Sequence, residues 1–422
     1  MLTVLRHSLA WMVLSNAIGV MIAVLLLAPG LGNLLQPWSY GRWMPVHLNL
    51  QLYGWCSLPL VAFLLRVYRV EESPATAAWS RSVLWLWSLA LAVGSLTWLN
   101  GHTSGKLFLD WTGVSRVLFP LALAALWLLL AAGLRHAITS GALPQWHARI
   151  GRGLGLLALL PIPWMLYFAS NPAIYPPINP DTGGPTGASQ LESTLVIIAI
   201  LLVLPYGLTQ RSSEGRTALR AAWWIFAAES LLCLGLGRAD ISHHRPTQWI
   251  SLGSLLVWIP LLPAHYRAFQ WHRATQLWRR SFLVWWAVLV PTGWLLFLPG
   301  VLDRFKFTDG LVGHSLLAMA GFVTSLLIFA LVQLMPNGGW IFEARWSFWM
   351  WQLCTAIYIA IMFYAGWQES ENVAFTIITS PLRNAIYALR LAVGLGMLIA
   401  SADWLVRALL HDDRYNLAPE AA

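Results

Sequence analysis

Two histidines in this chain share a spacing that suits metal chemistry. His47 is followed seven positions later by Gly54, and His314 seven positions later by Gly321. Seven residues are close to two helical turns, so each histidine shares a helix face with its glycine. An imidazole can reach an iron, and a glycine lets a flat macrocycle lie against the backbone. The same spacing also fits a hydrogen-bonded packing histidine, and spacing alone leaves both readings open. An adjacent pair, His243 and His244, offers two further imidazoles. Three charged residues fall in or beside apolar stretches, where a charge needs a reason. Glu229 has no cation four residues away on either side and reads as a protonated, packed carboxyl or as part of a proton path. Arg383 and Arg390 could fork onto carboxylates such as those of a haem, while Arg390 could equally extend toward the membrane surface.

The elements that must position these residues are membrane spans. The chain has 422 residues, 58% hydrophobic and only 10% charged, with a mean hydropathy of +0.63. A soluble domain carries about 25% charged residues. That shortfall excludes an ordinary globular enzyme and a disordered chain. Apolar runs predict twelve spans near 8–32, 44–68, 79–99, 113–134, 151–169, 191–209, 219–238, 247–268, 281–302, 311–335, 346–367 and 384–407. They form one polytopic all-α membrane domain over residues 1–422. The first run is too long for a signal-peptide core and is read as a retained span.

The net charge of +9 does not point to nucleic acid, because the basic residues sit in short loops between apolar runs. With the N-terminus inside, the inner segments hold 17 arginines and lysines and the outer segments 8, with Arg390 inside the last span. That bias predicts both termini in the cytoplasm. His47, His243, His244 and His314 then all map to the outer half of the membrane. His7, His136, His147, His265, His272 and His411 fall at inner ends and read as interfacial, and His102 as solvated. Residues 169–190 form a proline- and glycine-rich outer loop without lysine or arginine, read as a rigid cap. The 27 tryptophans are expected mainly as interfacial anchors. Cys56, Cys233 and Cys354 lie in apolar stretches with no C-x-x-C-H, so the chain attaches no c-type haem.

Several stretches resemble the haem–copper oxidase subunit I superfamily, most closely the cbb3-type cytochrome c oxidase subunit I. They are MPVHLNLQLYGWCSLPLVAFLLRVY around His47, FTDGLVGHSLLAMAGFVTSLLIFALVQLMP around His314, FWMWQLCTAIYIAIMFYAGWQ, and YALRLAVGLGMLIASADWLVR around Arg390. The resemblance implies a twelve-helix subunit in a bacterial inner membrane. In it His47 holds the low-spin haem, His314 the high-spin haem, His243 and His244 the active-site copper, and Arg390 faces a propionate. It also implies a c-type cytochrome or another electron donor as partner, beside membrane lipid.

The departures from the family are specific. Leu316 stands where the second histidine of the family's H-x-H is expected. No histidine occurs between His147 and His243, so one copper ligand is missing, and the seventh span has no tyrosine. Two histidines alone make a poor copper site. The economical expectation is one bis-histidine haem b on His47 and His314, with Gly54 and Gly321 beside the ring. That makes an electron-transfer subunit with His243 and His244 as a vestigial copper position. The alternatives are a gas-binding high-spin haem on His314 and a haem-free anchor or transporter. Catalysis of the oxidase or nitric oxide reductase type is left open.

Overall fold

The computed structural model describes residues 1–178, 190–212, 215–236 and 245–410. His243, His244, His411 and residues 179–189 of the 169–190 loop lie outside the described residues. The described chain is helical, with one isolated backbone bridge between Arg211 and Phe269 and no strand. It is an all-α, multi-pass membrane protein in contact with lipid. Among the described residues, eleven helices are long and apolar enough to cross a membrane. In chain order with these we number α1 (Leu2–Leu27), α2 (Tyr40–Val67), α3 (Pro74–Leu99), α4 (Gly113–Thr139), α5 (Trp146–Ala169) and α6 (Gln190–Leu208). They continue with α7 (Arg216–Leu236), α8 (Pro246–Arg267), α9 (Gln276–Leu296), α10 (Asp309–Leu334), α11 (Arg345–Glu371) and α12 (Pro381–Leu410).

Helix α9 is the one outside the eleven. It is 21 residues long, but Arg279, Arg280 and four tryptophans dilute its aliphatic content. It also sits earlier than the predicted 281–302. The chain leaves it at Phe297, Gly300 takes a left-handed turn at φ +78°, and a separate short helix runs over Val301–Phe305. Helix α1 likewise ends at Leu27 instead of running to residue 32. Pro29 cannot donate to the helical ladder, and a 3₁₀ turn follows over Pro29–Leu35.

The chain divides into two compact units. Unit 1 is Met1–Pro177 with the end of α12 from Leu398, and unit 2 is Ile178–Met397. In unit 1, Trp111 stacks on Phe119 at 4.2 Å, with Tyr53, Trp87 and Trp98 edge-on around them. A polar thread runs Gln51 to Asn16 to Ser401, with hydrogen bonds of 2.7 and 2.9 Å. In unit 2, α8 packs through Trp258, Leu262, His265 and Tyr266.

The tryptophans correct the expectation of interfacial anchors in part. Trp55, Trp98, Trp111, Trp258, Trp278, Trp286, Trp351 and Trp404 are fully buried side chains. Some give their indole N–H to a backbone carbonyl of another helix, as Trp286 does to Trp258 and Trp351 to Ala320. A buried indole needs such a partner, and the bond ties the two helices at a fixed register.

Candidate functional site: two matching histidine modules

The same local arrangement occurs once in each unit, and each copy holds one of the two histidines. Helix α2 opens into a π-turn over Leu50–Cys56, three residues after His47. Helix α10 does the same over Leu317–Val323, three residues after His314. Such turns carry an extra residue and are frequent at functional sites. In both copies a hydroxyl five residues on closes the widened turn. Ser57 Oγ donates to the Leu52 carbonyl at 2.8 Å, and Thr324 Oγ1 to that of Met319 at 2.9 Å. In both, a carbonyl freed by the turn takes an indole N–H from the next long helix. Trp87 donates to Tyr53 at 2.9 Å, and Trp351 to Ala320 at 3.0 Å.

The preceding helix completes each copy. A Cβ built on Gly54 would fall 2.5 Å from Cβ of Trp11, and one built on Gly321 would fall 2.8 Å from the Trp285 ring. Trp11 donates to Ser88 Oγ at 3.1 Å, and Trp285 to Gln352 Oε1 at 2.6 Å. Eight residues beyond each of these tryptophans stands another glycine, Gly19 or Gly293, and each meets the histidine ring of its own copy. Gly54 and Gly321 thus serve close approach, as their spacing suggests, and the group that approaches them is an indole of the preceding helix.

At His47, Nδ1 lies 2.8 Å from the Ser15 carbonyl and 3.3 Å from Ser15 Oγ, which itself donates to the His47 carbonyl at 2.8 Å. A carbonyl can only accept, so Nδ1 carries the proton and Nε2 the lone pair. That is the tautomer and the anchoring of a metal-bound imidazole. At His314 the corresponding contact is longer, with Nδ1 3.5 Å from Thr292 Oγ1. The Thr292 hydroxyl proton is directed to the carbonyls of Val288 and Leu289, so its oxygen faces His314 as an acceptor. Both histidines are half-buried. In each copy the contact at Nδ1 leaves the lone pair on Nε2, which is the one feature a metal would need from the imidazole.

The two arginines have partners inside unit 2. Arg390 pairs with Asp309 at 2.7 Å, its guanidinium over the rings of Tyr387 and Tyr358, and its Nε is buried with no partner. Glu369 accepts the Asp309 backbone N–H at 2.7 Å. Arg383 donates to the Thr376 carbonyl at 2.9 Å and lies 4.6 Å from the Tyr387 ring. The Asp309 pairing was not seen in the sequence, because the two residues lie 81 positions apart.

Glu229 is buried and accepts the Trp258 indole N–H at 2.6 Å. This fits the packed-carboxyl reading. His265, expected at an interface, is instead fully buried, its Nε2 3.1 Å from the Leu202 carbonyl. The reason is register: it continues the buried face of α8 below Trp258 and Leu262. Outside the spans, Asp110 is buried under Trp98, whose indole N–H bonds its carbonyl. Burial raises the Asp110 carboxyl above its ordinary value, against the opposing bond from Asn49 at 2.9 Å. Among the described residues no three His, Cys, Asp or Glu side chains gather as a metal site.

The sequence signals that would have exposed these modules are present but weak. Trp-x7-Gly occurs before each histidine, at Trp11–Gly19 and Trp285–Gly293. W-x-W-S-L at 85–89 matches W-x-W-Q-L at 349–353 after them. Comparison of the whole chain with protein-family models and with curated proteins gives no match.

Proposed function

We propose that the chain is a haem b-binding subunit of a respiratory electron-transfer complex, built on the haem–copper oxidase subunit I plan with an incomplete copper centre. The observation that carries this reading is the His47 site. There an imidazole is anchored through Nδ1 to a helix carbonyl, which directs the lone pair of Nε2 away from that bond. His314 repeats the arrangement with a hydroxyl as acceptor. His47 and His314 would hold the iron, and Ser15 and Thr292 would orient them. Haem b, when bound, supplies a one-electron couple whose potential follows its axial ligands and the charges around it. Arg390 would act on that potential as a neutral pair with Asp309, whereas Arg383 bonds the neutral Thr376 carbonyl and Asn384 Oδ1 and would face a carboxylate with its full charge. His243 and His244 remain the proposed vestigial copper position. The twelve-span topology, the cytoplasmic termini, a bacterial inner membrane and a c-type cytochrome or other donor as partner belong to the same proposal.

The test is a pyridine haemochrome assay with metal analysis on the purified protein. The expected result is haem b with little or no stoichiometric copper. His47→Ala and His314→Ala should each abolish the sharp reduced α-band if both serve one iron, leaving a five-coordinate iron open to carbon monoxide. If His314→Ala removes a carbon monoxide-binding haem and His47→Ala a separate low-spin one, each histidine has its own iron and gas chemistry becomes the better reading. A protein purified without any haem overturns the proposal in favour of an anchor or transporter.

A further inference from the structure

Unit 2 carries an open pocket of about 440 Å³ away from the His314 module. Its polar rim is Tyr206, Arg211 and Arg220, and its apolar wall includes Leu219, Trp223 and Trp224. The location is the end of α6 and the first turns of α7, where two apolar helices stop. That is the level of a bilayer's headgroups, and the arginine bias of the sequence assigns it to the cytoplasmic leaflet.

The rim is built. The backbone of Arg211 bridges to that of Phe269. On either side Gln270 N–H donates to the Gln210 carbonyl at 3.0 Å and Ser212 N–H to the Ala268 carbonyl at 2.9 Å. Gly215, at φ +89°, lets the chain press against Ala268, where a side chain would collide. The Arg211 guanidinium lies 4.6 Å from the centre of the Tyr206 ring, and Trp223 donates its indole N–H to the Tyr206 hydroxyl at 3.2 Å. No carboxylate lines the pocket among the described residues; Glu214 lies outside them. Trp224 beside the two cations is 76% exposed, an indole directed outward.

Two guanidiniums at headgroup level, with an aromatic wall leading toward the hydrocarbon, match one occupant. We infer that this pocket binds an anionic phospholipid, its phosphate held by Arg211 and Arg220 and its acyl chain lying along Leu219 and Trp224. Charge decides the class. A guanidinium pair attracts a headgroup with net negative charge, whereas a choline headgroup brings its own cation to the same place.

The test is native mass spectrometry of the purified full chain in detergent, titrated with phosphatidylglycerol, phosphatidylcholine or inorganic phosphate. The expected result is a tight phosphatidylglycerol adduct weakened on the order of 30-fold in Arg211→Gln/Arg220→Gln, as two interfacial arginines imply. Arg149→Gln, a cytoplasmic-side arginine of unit 1, should keep wild-type affinity. Trp224→Ser, too exposed to be needed for folding, should weaken the adduct about threefold or more and serves if the double variant fails to fold. Equal affinity for phosphatidylcholine overturns the inference, as does unchanged binding in the double variant or in Trp224→Ser. Competition by inorganic phosphate at equal concentration would reduce the site to a bare anion site and also overturns it.

Discussion

Gly19 is the sharpest place to test the His47 module. A Cβ at this position falls 2.7 Å from Cε1 of His47 and 3.2 Å from its Nδ1. Ordinary contact begins at 3.4 Å, so Gly19→Ala forces the ring back by at least 0.7 Å. The ring is held by the 2.8 Å bond to the Ser15 carbonyl, one turn away on the same helix. A retreat of that size stretches the bond to the limit of a hydrogen bond, about 3.5 Å. Overpacking of this kind costs about 1–3 kcal/mol. Gly293→Ala is the matched control, because its Cβ falls at 3.4 Å from Cε1 of His314 and needs no displacement. Thermal unfolding followed by circular dichroism reads the geometry, and the reduced α-band per haem reads the ligation. Gly19→Ala should lower both, while Gly293→Ala should leave both unchanged. A Gly19→Ala protein with wild-type stability refutes the packing argument. Lost stability with an intact α-band refutes His47 as a ligand.

Arg390→Ala should destabilise the protein by about 3–5 kcal/mol, since it leaves the Asp309 carboxylate without its cation; Arg390→Met with Asp309→Leu should recover much of the loss, measured by denaturation in detergent. Topology depends on α9. A reporter active only in the periplasm should stay silent when fused after Ala422, as twelve crossings require; activity there would mean that α9 does not cross. Asp110 gives a pH signature. Its folded-state carboxyl is raised by burial, so its contribution is greatest when protonated and is lost as pH rises through the raised value. The melting temperature of the wild type should therefore fall more steeply than that of Asp110→Asn over that rise, and parallel curves would remove Asp110 as the cause.

Composition and hydropathy by themselves determined the class of this protein. A chain with so few charges and such long apolar runs has to satisfy its backbone within helices, because lipid offers no hydrogen bonds. The His47–Gly54 and His314–Gly321 spacings were also legible, since residues two turns apart share a face in a regular α-helix. What covers that face was not legible, because it depends on which other helix arrives there. Only the tertiary structure placed Trp11 on Gly54 and Trp285 on Gly321, and turned Gly19 and Gly293 toward the imidazoles. Only it paired Arg390 with Asp309 and drew His265 from an assumed interface into the core of unit 2. The π-turns after each histidine belong there too. Helical propensity is local, but the widened turn persists because an indole from another helix and a nearby hydroxyl take up the carbonyls it frees.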